Sequence, residues 1–354
     1  MSAHTGEAGL SSILADPATA AVLVVLPVQA MPAIVERALG AGKHVLQEKP
    51  VAPTVVRATA MAAAALLAAG AHRPGRAPPP ALWCLAENYR SEPAVLEAAA
   101  RASPASMGPA LLVSLDAKMP MNAANRYHGS AWRRTCPGGF LMDSSVHFLA
   151  ALRAVTGPRG TAWGEPVSAS AVAYGADEEE AASGLAGLER PANPLPSPDT
   201  LLGRLVFANA RAASLAITFA GSLPHFNLAV EGRRGAVSLS RGGFGGAATK
   251  GSAGRGGGYD VASAGRAPGG RSGLDTAHAF YAFAGLDREL ASFVRLVTGV
   301  GGEDDRSALS PAAAARDLAA VEALLASSAA GGAPVPVASL PADPWDELEK
   351  TWGV

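Results

Sequence analysis

The chain has 354 residues, too many for one ordinary core, so two domains of unequal kind are expected. A net charge of -1 leaves no basic face for nucleic acid or an anionic membrane, and no apolar run approaches the ~18 residues that a membrane span needs. Two cysteines, Cys84 and Cys136, are too few for a disulfide framework and have no metal-ligand spacing, so no metal site and a reducing, cytoplasmic setting are expected.

In chain order, AAVLVVLP (Ala20 to Pro27) is a continuous apolar run ended by proline, the pattern of a parallel strand covered on both faces. AIVERALGAG continues as a helix closed by Gly40 and Gly42, and KHVLQ follows as a strand, which completes a β-α-β crossover. The unit repeats with an alanine-rich helix from about Val55 to Ala71, a breaker loop HRPGRAPPP, and a strand ALWCLAENYR. Strands alternating with helices predict a parallel α/β sheet.

After about Met107 the pattern changes. PALLVSLDAKM reads as a strand and GGFLMDSSVHFLAALRAVTG as a helix opened by a glycine pair and closed by Gly157. EPVSASAVAY, TLLGRLVFA, AASLAITFAG, HFNLAVEG and GAVSLS then follow as strands without intervening helices, which predicts an antiparallel sheet in an α+β domain. Segments near 176–199 and 241–273 read as flexible surface insertions too poor in apolar area to order themselves. Helices resume at DTAHAFYAFAGLDRELASFVRLVTG and at SPAAAARDLAAVEALLASSAAGG, the second with Ser310 as N-cap and Pro311 in its first turn.

Two polar groupings stand out. Glu48-Lys49-Pro50 closes an apolar strand at its carboxyl end, where open α/β sheets place their ligand crevice. Asp143 and His147 are four apart on one predicted helix and share a face. Taken alone, the first is usually the solvated rim of a strand and the second a helix-surface pair.

Leu14 to Pro50 (LADPATAAVLVVLPVQAMPAIVERALGAGKHVLQEKP), ENYR (Glu87 to Arg90), WRRTCPGGFLMDSSVH (Trp132 to His147) and the RELASFVRLVTG helix together resemble the Gfo/Idh/MocA oxidoreductases, the family of glucose-fructose oxidoreductase and inositol dehydrogenase. The resemblance implies a partial, N-terminally truncated Rossmann-type parallel sheet over residues 1–105. It implies a substrate and dimerisation α+β domain over 106–340, with a large, mostly antiparallel sheet covered by helices on one face, and a C-terminal tail over 341–354. It implies hydride transfer between NAD or NADP and a sugar, polyol or related alcohol, in a homodimer or higher homo-oligomer. Such chemistry needs a base for the hydroxyl proton and a positive donor near the oxygen as it becomes a carbonyl.

On this resemblance Lys49 is the donor or base, His147 the more natural proton acceptor, and Asp143 orients substrate and balances charge. Pro27, Glu48, Lys49, Asn88, Arg90, Trp132 and Arg133 are the expected cofactor contacts. Core packing for Trp132, a surface charge for Arg133 and ordinary caps for Asn88 and Arg90 are the plainer alternatives. Tyr127, His128 and Cys136 are candidate substrate neighbours, and His4, His44, His72, His225 and His278 read as surface or satisfied core.

One departure matters. A dinucleotide fold of this type opens with a strand, a G-x-G-x-x-G turn and a helix whose N-terminus holds the pyrophosphate, with a residue ~20 positions on choosing NAD or NADP. Here the first strand, Ala21 to Leu26, matches the family's fourth, and Met31 stands where the family usually has histidine. The glycines at 242–246 and 254–258 sit in the late insertion with no crossover helix after them. A late start, a variant whose exposed strand edge is covered by oligomerisation or a partner, and a decayed copy are the competing explanations. Without the anchor, cofactor affinity falls tenfold per ~1.4 kcal/mol lost, and a ligand-binding or regulatory module becomes the alternative to an enzyme.

Overall fold

The computed structural model describes residues 3–70, 80–121, 125, 127–175, 198–242, 257–266 and 274–352. The breaker loop at 71–79, most of both expected insertions, and His72 lie outside the described residues. The chain divides into two compact units, the first made of Met1–Glu87, Asp287–Leu318 and Leu340–Val354, the second of Asn88–Leu286 and Ala319–Ser339.

In the first unit, helix α1 (Gly6–Ala15) precedes strand β1 (Ala21–Val24), helix α2 (Met31–Gly40), strand β2 (His44–Glu48), helix α3 (Val55–Gly70) and strand β3 (Trp83–Ala86). The strands form a parallel sheet in the order β1-β2-β3, with Val22 opposite Val45 and Leu46 opposite Cys84. The expected β-α-β-α-β alternation is therefore present, and α1 is an addition that the sequence reading did not foresee.

Alternation along β2 and β3 sends side chains to two cores. Leu46 and Cys84 pack with Phe293, Leu296 and Leu309 on one face. Gln47 and Trp83 serve the other, where Trp83 stacks on Trp345 of helix Ala342–Trp352 at a centroid distance of 6.2 Å and Trp345 donates to Thr59 Oγ1 at 3.2 Å. The expected tail over 341–354 thus contains an ordered, partly buried helix.

Strand β1 differs from its sequence pattern. Among the described residues it pairs only with β2, and Leu23 is 58 % and Val25 70 % exposed. A run composed like an interior strand lies at an edge.

The second unit holds helix α4 (Pro93–Arg101), the short α5 (Pro104–Met107), strand β4 (Ala110–Lys118), the short α6 (Ala131–Thr135), helix α7 (Gly139–Thr156) and strands β5 (Pro166–Tyr174), β6 (Thr200–Phe207), β7 (Ala212–Thr218), β8 (His225–Gly232), β9 (Gly235–Gly242), β10 (Gly258–Arg266), β11 (Leu274–Ala282) and β12 (Val335–Pro336). They make a nine-stranded sheet in the order β11-β10-β9-β8-β4-β7-β6-β5-β12, antiparallel throughout except where β4 runs parallel to β7.

Alternate residues on the central strands, Val113, Leu115 and Ala117 on β4 and Phe226, Leu228 and Val230 on β8, are buried. Helix α7 is buried on almost every side. Its start needs its glycine pair: Gly138 and Gly139 have φ of 74° and 52°, and a Cβ on Gly138 would meet Leu325 Cδ1 at 2.6 Å.

Two segments depart from expectation. Leu274–Ala282, read as the start of a long helix, is strand β11, and the helix begins at Gly285. Nine residue pairs with β10 outweigh the helical preference of its alanines, a tertiary override of local propensity. Gly258–Arg266, within the second expected insertion, is strand β10, whose Tyr259 and Val261 are buried. The helix Pro311–Ala329 begins as expected, with Ser310 Oγ accepting from Ala313 N–H at 3.1 Å.

The buried Gln47 is the polar centre of the first unit. Its Nε2 donates to Val51 O at 2.7 Å, and its Oε1 accepts from Trp83 Nε1 at 2.9 Å. Gln47→Ala strands both partners, so urea unfolding should show a loss of roughly 2–4 kcal/mol; a change below the error of the measurement would mean that Gln47 anchors nothing.

Candidate active site

Lys49 leaves the carboxyl end of β2, and the Lys49-Pro50 peptide bond is cis. The Gln47 amide, with its donors on Val51 O and at 3.5 Å on Pro50 O, ties this turn back onto the strand that precedes it. Glu48 and Lys49 are half-buried in consequence. Pro27 occupies the corresponding place after β1, where its carbonyl accepts from Ala30 N–H at 2.8 Å and opens α2. Met31 is fully buried in the first turn of α2.

The fit of a dinucleotide can be judged from these junctions. Residues 25–30 and 49–54 join strand to helix in this unit, and neither link contains glycine. The N-cap of α2 is Ala30, with no side-chain cap, and Pro32 removes a donor from its first turn. Pyrophosphate binding needs bare backbone N–H groups at such a turn. The described residues of the first unit form no such cradle.

In the second unit the expected residues gather on α6, α7 and the segments before them. Asp143, only 2 % exposed, receives Arg133 Nε on its Oδ2 at 2.8 Å and the Ser144 hydroxyl at 3.3 Å. The Arg133 guanidinium lies over the rings of Trp132 at 4.1 Å and Tyr127 at 4.5 Å, and donates to Ser130 Oγ at 3.3 Å. Arg133 is therefore fixed by a carboxylate, two aromatic faces and a hydroxyl. This pairing excludes the plain surface-charge reading of Arg133.

His147 lies one turn beyond Asp143, at one of the few half-exposed positions of α7. Its ring stacks on Tyr89 with centroids 5.1 Å apart. Tyr89 belongs to the 3₁₀ turn Asn88–Arg90, so the turn expected to touch cofactor delivers an aromatic ring to His147. Burial, then the neighbouring Tyr89 hydroxyl that is hydrogen-bonded to it, pushes the Tyr259 phenol well above its ordinary pKa.

His128 and Cys136 are near this group but differ in kind. The His128 carbonyl accepts from Arg134 Nε at 3.0 Å, which ties the segment before α6 to that helix. Cys136 is buried, and burial followed by the Asp143 charge pushes its thiol up to about 11. His44 accepts from Leu82 N–H at 3.1 Å, while His225 Nε2 and His278 Nε2 lie 3.4 Å from Asp116 and 3.0 Å from Asp260.

Two participants escaped the sequence reading. Tyr89 lies inside ENYR (Glu87 to Arg90), where the polar Asn88 and Arg90 are the expected contacts and an aromatic ring gives no signal of its own. Gln47 offered one signal, a lone amide in an otherwise apolar strand.

One unit carries a small parallel Rossmann-type sheet and the other a large mixed sheet, the fold class of the Rossmann-plus-second-domain oxidoreductases. The resemblance to the Gfo/Idh/MocA oxidoreductases is borne out, since residues 4–68 match the family model described as "Oxidoreductase family, NAD-binding Rossmann fold". The dehydrogenase FPY6 of Fusarium mangiferae is 33% identical over 151 residues, 42% of this chain and 40% of that relative, so the chain spans under half of its length. An aldose-aldose oxidoreductase from Caulobacter crescentus complexed with glycerol shares the fold over 93% of this chain and 83% of its own, at 21% identity and TM-score 0.65. Levoglucosan dehydrogenase in complex with NADH and levoglucosan does so over the same 93% and 83%, at 20% identity and TM-score 0.65.

Two outcomes follow from this geometry. Asp143→Ala leaves the Arg133 guanidinium without its carboxylate in a largely buried place and should destabilise the protein by about 3–5 kcal/mol in denaturant titration. Cys136, with its thiol pushed up to about 11, and Cys84, pushed up by burial to about 12, stay protonated near neutral pH. Neither should react with a thiol-specific chromogenic reagent at pH 7.5 until the protein is unfolded, and rapid labelling of the native protein would contradict the burial described.

Proposed function

We propose that this chain acts in NAD(P)-dependent oxidoreduction of a sugar, polyol or related alcohol. Lys49 donates a hydrogen bond to the substrate oxygen as it gains carbonyl character, and His147 accepts the hydroxyl proton. Asp143 orients substrate and balances charge, and its ion pair holds Arg133 in place. Pro27, Glu48, Asn88, Arg90, Trp132 and Arg133 are the groups assigned to the nicotinamide side. The observation that carries this reading is the buried Asp143, locked to Arg133, one helical turn from a half-exposed histidine. The sugar and polyol ligands bound by the relatives of the same fold support the substrate class.

A second reading is favoured by one observation, the lack of glycine at the described strand-helix junctions of the first unit. On that reading the chain binds a sugar-like ligand without turning it over, as a sensing or regulatory module. A homodimer is part of both readings, drawn from the apolar side chains left open on the large sheet, such as Leu112, Val172 and Leu202.

Turnover of a panel of sugars and polyols, followed by reduced-nicotinamide absorbance at millimolar NAD or NADP, separates the two. The oxidoreductase reading expects activity in the wild type and a loss of roughly 10²–10⁴-fold in Lys49→Ala and in His147→Ala. Full activity in Lys49→Ala removes that residue from the mechanism. Calorimetric binding of a sugar with no turnover, and no fluorescence change on titrating NADH or NADPH, establishes the second reading instead.

A further inference from the structure

We propose that Tyr89 is a positioning residue for His147, its ring held in one plane by three neighbouring aromatic rings so that its face fixes the imidazole. This rests on the assignment of His147 as proton acceptor, and it adds a residue that the family resemblance did not supply. Tyr89 meets Phe148 at 6.4 Å and 80°, Phe226 at 6.0 Å and 75°, and Tyr259 at 6.1 Å and 74°, each edge-on. Toward His147 the geometry changes to stacking, at 5.1 Å and 24°. Edge contacts on several sides hold the Tyr89 ring against tilting.

The need for such a device comes from the placement of His147. It is only partly buried on a helix otherwise buried, and so is less closely packed than its neighbours Phe148 and Val146. A half-exposed ring has more than one side-chain rotamer open to it, and a proton acceptor displaced by about 1 Å loses on the order of 10²-fold in rate. Stacking against an immobile partner selects one orientation. Phe148, the next residue on the helix, stacks on Phe226 at 5.8 Å, which ties the same aromatic cluster to strand β8. Tyr89 itself arrives from the turn after β3, so its position is set by backbone as well as by packing.

The test uses the full chain with ¹³C-labelled histidine, His147 being assigned by its loss in His147→Gln. Ring-proton resonances of His147 should be displaced upfield in the wild type and show cross-relaxation to the Tyr89 ring. The displacement should persist in Tyr89→Phe/Tyr259→Phe, which keeps both rings and deletes both hydroxyls, and vanish in Tyr89→Leu. In turnover, Tyr89→Leu should lower kcat by roughly 100-fold with KM within about twofold of the wild type, and the double phenylalanine variant should restore most of it. His147 resonances unmoved in Tyr89→Leu overturn the proposal. Absence of Tyr89-His147 cross-relaxation in the unmutated protein also overturns it, and that reading stands even if Tyr89→Leu does not fold. Displacement lost as expected, with no turnover in any form including the wild type, supports the positioning role and refutes the oxidoreductase reading separately.

Discussion

The buried ion pair between Arg133 and Asp143 is the interaction on which the candidate site of the larger unit depends. An ionised carboxylate on a helix buried on nearly all sides costs several kcal/mol unless a cation meets it. Arg133 does so at 2.8 Å, and Trp132, Tyr127 and Ser130 hold the guanidinium in turn. Such a pair contributes little net stability compared with apolar side chains of equal volume. What it contributes is placement, because both charges have their geometry determined from several directions. The pair fixes one end of α7's exposed face, and His147 stands one turn further along.

The smaller unit uses a neutral version of the same device. Gln47 lies fully buried among apolar side chains, with a donor on Val51 O and its acceptor on Trp83 Nε1. A leucine at this position would fill the space and bury more apolar area. It would remove the side-chain hydrogen bonds that tie Pro50 and Val51 back to the strand. The amide converts a flexible exit from β2 into a turn with a set direction, and Lys49 is the residue that turn presents. In both units, then, a buried polar side chain fixes the backbone or helix that carries a residue of the candidate site.

Much of this was legible in the sequence because it rests on short-range pattern. The apolar runs of β1 and β2, the alternating strands β4 to β9, the glycine pair before α7 and the Ser310 cap are all local signals, and they appear where expected. Strand β11 was misread because HAFYA has no decisive period and its alanines favour helix, while its identity depends on pairing with β10, a strand hidden in a glycine-rich stretch. The site divides in the same way. That Asp143 and His147 share a face follows from i, i+4 spacing on one helix, and their roles from the family resemblance. Arg133 meeting Asp143, Tyr89 meeting His147 and Gln47 meeting Trp83 join residues from different elements, and spacing along a single element carries no such information.

Strand β1 lies at the edge of its sheet among the described residues. Natural sheet edges are blunted by lysine, proline, bulges or a covering element. From Ala21 to Leu26 β1 has no charge and no proline, and Leu23, Val25 and Leu26 are open to solvent. The dinucleotide question belongs to this edge and to the strand-helix links beside it. The groups assigned to substrate do not. Lys49 is set by Gln47, Asp143 by Arg133 and His147 by Tyr89, each through contacts within its own unit that involve neither β1 nor a glycine turn. The contacts that hold the residues proposed for substrate are therefore distinct from the strand-helix links on which the dinucleotide question turns.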